Sequence, residues 1–542
     1  MKYAREHPIL PTEDVVFQCT SWYSTDCEQE DEDDEHKYIV KLFGVTEQGH
    51  SVSVTLTDFP PFFFVKSPFK NTSDFHIKQI KEYVVSKLPA RLRNGLLDVK
   101  PLKKHDFWGF TNLQQFTFLR FSFKNIATFR AAAKMLQTKV TIPALSHEPL
   151  YLKLYESNIE PHLRLAHIRD IDPAGWVKIP KNAYDQNSIM KTRAQIDISA
   201  RWVSIEPVKL EKMAPLLIAS FDIECTSSHG DFPVAKKSYK KMANELSHMF
   251  DPNQHSTQDI MSEILLAFDH KTSGKLSKAF TKKHIHPQPT LKRHIEDIMS
   301  ILKGRFNLKS NRDALVKSLT ETLNRCLPPL EGDPVIQIGT TVHVYGETDC
   351  SFKHIITLGN CDPIDGAIVE HYETETELLL AWRDFITRID PDVMIGYNIF
   401  GFDMAYLYDR SCEHCISEQF CEIGKIRDHV SKFEEKTLSS SALGDNFLKY
   451  IDMEGRVLID IMKLVQRDHK LDSYKLDTVA SHFLGGKVTK VDGEWICVDN
   501  TKGMSIGSYI KLSDDVKYKI ADIEQHKVRL SPAPSPAASK WG

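Results

Sequence analysis

The chain has 542 residues, with 69 Lys and Arg against 73 Asp and Glu for a net charge of −4, and is 41% hydrophobic and 26% charged. That balance suits three or four globular folding units and excludes disordered and fibrous classes. No apolar run reaches the roughly 18 to 20 residues of a membrane helix and the charged start lacks a signal peptide's apolar core, so an intracellular, soluble protein is expected, open to nucleic acid through any locally basic groove.

Residues 1–210 read as an amino-terminal mixed β/α domain. Lys37-Tyr38-Ile39-Val40-Lys41-Leu42 and Ser51-Val52-Ser53-Val54-Thr55-Leu56 alternate apolar and polar, the period of half-buried strands. The acidic run at residues 28–35 reads as a solvated loop. Phe59-Pro60-Pro61-Phe62-Phe63-Phe64 could stack on bases, but an apolar run beside prolines reads first as core at a strand edge.

Residues 211–486 read as an α/β domain. Leu216-Leu217-Ile218-Ala219-Ser220-Phe221-Asp222-Ile223-Glu224 is a buried strand whose tip carries two acids. Residues 234–332 interrupt it as a basic helical insertion: residues 236–317 hold 16 Lys and Arg against 8 Asp and Glu. Two helical stripes stand out there, Ile295, Ile298, Met299, Leu302 and Leu315, Leu319, Leu323. The lysines could meet a nucleic-acid backbone or simply solvate the helices. Strand text resumes at Asp333-Pro334-Val335-Ile336-Gln337-Ile338, a helix follows at residues 374–389, then a short strand at Val393-Met394-Ile395-Gly396 and a helix opening near Asp403. Residues 487–530 alternate as a small β module, and the Pro- and Ser-rich residues 531–542 read as a flexible tail.

On a strand, positions i and i+2 share a face, so Asp222 and Glu224 present two carboxylates about 7 Å apart. Such a pair at the end of an apolar strand calls for a divalent cation. Gly396-Tyr397-Asn398-Ile399-Phe400-Gly401-Phe402-Asp403 offers a strand, a turn and a third acid, which is either brought over the sheet edge or spent as a helix N-cap. Three converging acids suit two-metal phosphodiester cleavage, with Asn398 and Phe402 positioning a nucleotide.

At these residues the chain resembles the amino-terminal half of a B-family DNA polymerase, of the eukaryotic delta type and its large-DNA-virus relatives. Phe221-Asp222-Ile223-Glu224 is similar to that family's first exonuclease motif, and Gly396-Tyr397-Asn398 with Phe402-Asp403 to its second. Tyr155-Glu156-Ser157-Asn158, Asp333-Pro334-Val335-Ile336-Gln337-Ile338 and Gly455-Arg456-Val457 also fit family text. The resemblance implies a ribonuclease-H-like 3′-to-5′ proofreading exonuclease in which Asp222, Glu224 and Asp403 hold two Mg2+ (or Mn2+) ions. It implies that Tyr397, Asn398 and Phe402 shape the pocket for a single-stranded 3′ end of primer-template DNA. The family's third motif, Tyr-x-x-x-Asp on a helix, lies downstream of Leu484-Gly485, where Tyr518 and Asp522 fit its spacing but in strand-like text. Tyr345-Gly346-Glu347-Thr348-Asp349-Cys350 mimics a polymerase metal hairpin but falls where the exonuclease sheet needs a turn. The polymerase palm is therefore expected from a separate chain or a missing carboxyl half. A free-standing nuclease using Asp522 and a catalytically silent DNA-binding or assembly module stay open beside this reading. Cys412-Glu413-His414-Cys415 with Cys421 has half a zinc spacing and reads as scattered thiols, as do the ten cysteines generally; His284, His286 and His294 read as surface histidines.

Overall fold

The computed structural model describes residues 5, 7–27, 37–106, 109–187, 189–227, 230, 232–251, 253–282, 287–307, 312–347, 349–440, 444–501, 503–514 and 516–541. The acidic run at residues 28–35, His284 and His286 lie outside them. The fold is mixed α/β and divides into two compact units: residues 1–394, 402–434 and 449–458, and residues 395–401, 435–448 and 459–542. Among the described residues no helix is long and apolar enough to cross a membrane.

In the first unit, Val15–Cys27, Lys37–Thr46 and Ser51–Thr57 run antiparallel inside a seven-stranded sheet. The alternating text there does not mark a solvent face, because Ser51 and Ser53 are as buried as Val52 and Val54. Ser51 Oγ accepts a hydrogen bond from the Gln195 N–H at 3.0 Å, so a small polar side chain sits inside without a lost partner. The Phe59–Phe64 aromatics are core: Phe63 in strand Phe62–Lys66 is fully enclosed and stacks on Phe121 with ring centroids 5.5 Å apart. Packing, not base stacking, explains that run.

A second sheet of this unit carries the acids. Leu217–Cys225 pairs antiparallel with Val335–Val344, which pairs antiparallel with Phe352–Leu358. On the other side of Leu217–Cys225, the Asp392 N–H donates to Leu217 O and the Val457 N–H to Asp392 O, both at 2.8 Å. The described residues of the Tyr345-to-Cys350 text lie between two of these strands, where Ser351 N–H donates to Val342 O at 3.0 Å. The inner face packs on helix Glu375–Ile389: Phe221 lies 5.1 Å from Trp382, whose Nε1 donates to Thr340 Oγ1 at 3.1 Å. That helix starts at Thr374, whose hydroxyl and Glu377 form a capping box.

The insertion is a helical body with its own core. Lys240–Met249, Thr257–Phe268, Gln288–Asn307 and Arg312–Cys326 bury one contiguous cluster that includes Ile295, Ile298, Met299, Leu302, Leu315, Leu319 and Leu323. Its two ends meet in a pinched neck. Asp333 N–H donates to Val234 O at 3.0 Å, the Val234 N–H donates to Asp333 Oδ2 at 2.9 Å, and Lys237 Nζ lies 2.6 Å from Asp333 Oδ1. Gly332 is required there, since a Cβ would sit 2.0 Å from Ala235 O. A short neck lets nearly a hundred residues loop out while the sheet register on either side is kept.

In the second unit, Gly486–Asp492, Trp495–Val498, Tyr509–Lys511, Lys517–Glu524, Lys527–Ser531 and Lys540–Trp541 form one six-stranded sheet. Its core holds Ile496, Val498, Ile520, Val528 and Leu530. The end of the chain is not a flexible tail: Lys540–Trp541 pairs with Gly486–Asp492, and Ala538 and Trp541 are buried in that core. A Pro- and Ser-rich composition hid the one large apolar anchor at Trp541.

Candidate active site

Asp222 and Glu224 stand exposed on the same face of Leu217–Cys225, alternating with buried Phe221 and Ile223. Gly339 pairs opposite Asp222, and a Cβ there would meet nothing within 4 Å, so the surface above this carboxylate is open. Asp222 lines a hollow of about 430 Å³ together with Gly339, Thr341 and Lys353.

Asp403 comes to the same place from the other side. Phe402 is the N-cap of helix Asp403–Glu413 and makes no side-chain cap bond, so Asp403 is the first helical residue and the N-cap role is not its own. The helix is pinned by residues one and two turns on. Tyr406 Oη donates to Asp333 O at 2.9 Å. Arg410 forks onto Glu375, Nε to Oε1 at 2.9 Å and Nη2 to Oε2 at 2.5 Å, and its Nη1 donates to Ala235 O at 3.1 Å. Glu375 also accepts from the Val335 N–H at 2.8 Å, so one buried acid joins helix, strand and neck.

That anchoring holds Asp403 where an unpaired carboxylate is costly. It is 3% exposed, and among the described residues its Oδ1 has no hydrogen-bond partner. Burial, then the facing Asp222 carboxylate, pushes the Asp403 carboxyl up to about 7. Asp222 and Asp403 are therefore brought together. Glu224 occupies the next outward position on the strand and does not close a three-donor cluster: among the described residues no group of three or more His, Cys, Asp or Glu is ready to hold a metal. An enclosed acid facing a like charge, with one oxygen unsatisfied, is what a divalent cation relieves, and hard carboxylate oxygens suit magnesium or manganese.

Phe402 is half-buried, with Tyr406 at 5.2 Å and Phe232 at 6.1 Å between ring centroids. Tyr397 and Asn398 belong to the second unit. There Tyr397 Oη donates to Tyr474 O at 2.5 Å, and Asn398 adopts a left-handed φ of 62°. The turn is held by Asp460, whose Oδ1 accepts from the Asn398 N–H at 2.9 Å and whose Oδ2 accepts from the Phe400 N–H at 3.1 Å. The same carboxylate caps helix Ile461–Asp468 through the Met462 N–H at 3.0 Å. Asp460 was missed from sequence because its only mark there is an acid between an apolar strand and an apolar helix, an ordinary N-cap signature.

Other candidates resolve differently. Tyr518 is buried in the β module and donates to Asp514 Oδ2 at 2.7 Å, while Asp522 lies on the same strand, 3.9 Å from Arg529. Neither is on a helix. Cys412 and Cys415 are exposed, Cys421 is buried with its thiol pushed up to about 12 by burial, and all three are free thiols. His294 is a surface group 3.3 Å from Asp297.

Comparison with known proteins places the chain in a family. The model of the DNA polymerase family B exonuclease domain matches residues 152–293 and 319–479. The DNA polymerase of Pyramimonas orientalis virus is 38% identical over 578 aligned positions, covering 99% of this chain and 48% of that protein. That of Phaeocystis pouchetii virus is 25% identical, covering 89% and 55%. The DNA polymerase delta catalytic subunit of Oryza sativa subsp. japonica is 26% identical, covering 82% and 32%. The chain thus spans about half the length of these viral relatives. Asp222, Glu224, Tyr397, Asn398, Phe402, Asp403 and Asp460 all fall inside the matched segments, whereas the β module falls after them. With more than half of its residues matched, the chain belongs to DNA polymerase family B, through that family's exonuclease domain.

Proposed function

We propose that this chain carries the 3′-to-5′ proofreading exonuclease of a replicative DNA polymerase, acting on the single-stranded 3′ end of primer-template DNA. The observation that carries the reading is the enclosed Asp403 carboxyl, unsatisfied at Oδ1 and facing Asp222. Such an acid is costly to the fold, and a neutral replacement is expected to stabilise it. Asp222 and Asp403, with Glu224 on the same strand face, would hold two magnesium or manganese ions. When bound, such ions supply the charge that activates water and stabilises a departing 3′ oxygen. The chain's own residues do the rest. Phe402 offers an aromatic wall beside Asp403, and Tyr397 and Asn398 share its sequence motif and are proposed to shape the pocket for an unpaired terminus. A mismatched end costs least to bring there, because it is already unpaired. On this reading residues 1–210 are a supporting sheet domain, residues 211–486 the nuclease domain and residues 487–530 an added module.

The test is direct. Purified chain with magnesium should shorten a 5′-labelled single-stranded oligonucleotide from its 3′ end, stop in chelator, and stop in Asp222→Ala and Asp403→Ala. Cleavage that survives both substitutions would remove these acids from the chemistry. A second reading, a silent DNA-binding or assembly module, is favoured by one fact: the Tyr518 hydroxyl already donates to Asp514, which counts against this pair as the third motif. Salt-sensitive DNA binding with no cleavage under any divalent ion would select it.

A further inference from the structure

The helical insertion holds a cavity of about 420 Å³ that the exonuclease chemistry does not use. Its walls are apolar and aromatic, with Met242 and Phe280 among them, and its rim carries Lys236, Lys237, Lys241 and Lys278. No carboxylate is among its described lining residues. Lys237 is held by Asp333, and Lys278 by the carbonyls of Leu266 and Asp269, at 2.9 and 2.6 Å. Lys278 thus spends its hydrogens on carbonyls and keeps a net positive charge at the wall. Lys236 and Lys241 are exposed at the rim. The volume lies in the range of small-ligand sites. A flat apolar body with an attached anion fits this chemistry: the body enters the aromatic cavity and the anion meets the lysines.

Position narrows the choice. Phe232 is also part of the cavity wall, and its ring meets Phe402, the N-cap of the helix that starts at Asp403. A strand whose 3′ end reached Asp403 would have its neighbouring nucleotides within reach of this opening. From these observations we infer that the insertion's cavity is a second nucleotide subsite, taking one base of single-stranded DNA into the pocket and its flanking phosphates onto Lys236 and Lys241. The inference rests on the DNA-processing reading above, but it concerns binding, not hydrolysis, and the two can fail separately. Sequence offered both a nucleic-acid contact and a solvated face for these lysines; the cavity between them favours the first.

The experiment uses the whole chain in chelator, so that no cleavage occurs, with a fluorescent oligothymidylate titrated at several salt concentrations. Lys236→Ala/Lys241→Ala should weaken binding about 5- to 10-fold at moderate salt and flatten the log-log salt slope by about 1.4, the value for two single-strand phosphate contacts. Lys292→Ala/Lys303→Ala, exposed on Gln288–Asn307 and outside the cavity, should change neither. Val234→Trp, at an exposed wall position, should obstruct base entry, weakening the normal oligonucleotide several-fold and leaving an abasic one unaffected. Equal losses in the two lysine pairs would overturn the subsite, since the effect would then be bulk charge. So would an abasic strand that binds wild type as well as the normal one. Asp222→Ala should abolish cleavage with binding intact, which separates failure of the nuclease reading from failure of this one.

Discussion

Asp392 and Asp403 are both buried aspartates of the same unit, and their surroundings are opposite. Asp392 receives Arg5 Nη1 at 2.7 Å and Nη2 at 2.8 Å, Lys425 Nζ at 2.9 Å and the Leu217 N–H at 2.9 Å. Its neighbour Asp390 takes Lys425 Nζ at 3.2 Å and Arg456 Nη1 at 2.9 Å. Burial alone would raise the Asp392 carboxyl, but the charges of Arg5 and Lys425 overcome it and hold it well below the usual carboxylate range. Asp403 faces a second acid and, among the described residues, has one oxygen without a partner, and its carboxyl is driven the other way. A buried acid that serves the fold is satisfied by the fold. One left unsatisfied beside another acid marks a place where something else must supply the charge.

Substitutions should separate the two kinds of acid. The largest effect is expected at the unsatisfied site. Asp222→Ala should lower 3′ hydrolysis by on the order of 10³-fold, since it removes several kcal/mol of transition-state stabilisation at tenfold per 1.36 kcal/mol. Thermal unfolding in chelator should leave that variant no less stable than wild type. Asp403→Asn should be as inactive yet melt higher than wild type in chelator at pH 8, by about 1 to 2 kcal/mol, because an unpaired buried charge has been removed. A lower melting temperature for Asp403→Asn would contradict the picture of an uncompensated acid.

Asp392→Ala should do the reverse, costing about 3 to 5 kcal/mol of stability by stranding Arg5 and Lys425. Because the folded carboxyl lies below its unfolded value, its contribution is present above the unfolded pKa of roughly 4 and is lost as pH falls through and below it. The gap between wild type and variant in a denaturant series should therefore be steady from pH 8 to 5 and shrink towards pH 3. A gap that grows in acid would show that the pairing is not what holds Asp392 ionised.

Sequence exposed these two acids unequally, for a physical reason. Phe221-Asp222-Ile223-Glu224 was legible because strand period and local motif coincide within four residues, and Asp403 because a turn and a helix start surround it. The insertion's core was legible through the helical spacing of Ile295, Ile298, Met299 and Leu302. Asp392 was not, since its partner Arg5 is 387 positions away and no local pattern encodes that distance. The solvent face expected for Ser51 and Ser53 failed likewise: Ser51 is buried against a distant donor, the Gln195 N–H, which no local pattern encodes.

Asp460 lies between the two kinds, fully paired but paired to the turn that carries Asn398. Asp460→Asn keeps the shape and weakens the two charge-assisted bonds to the Asn398 and Phe400 N–H groups, each worth about 1.5 to 3 kcal/mol when charged. The expected outcome is a roughly tenfold loss of hydrolysis carried mainly in KM for the single strand, with a melting loss of about 1 kcal/mol. A fall in kcat alone would mean that Asp460 touches the chemistry itself and is not a positioning residue.

The smallest effect is expected in the β module, where Tyr518 and Asp522 match the family's third motif by spacing alone. A tyrosine that orients water must keep its hydroxyl available, and this one is spent on Asp514 inside a packed sheet. Tyr518→Phe should therefore cost about 1 kcal/mol of stability, the net worth of one such bond, and leave 3′ hydrolysis unchanged within twofold. Asp522→Ala, half-exposed and 3.9 Å from Arg529, should change neither. Loss of hydrolysis in both variants, with melting unaffected, would return this pair to the active site.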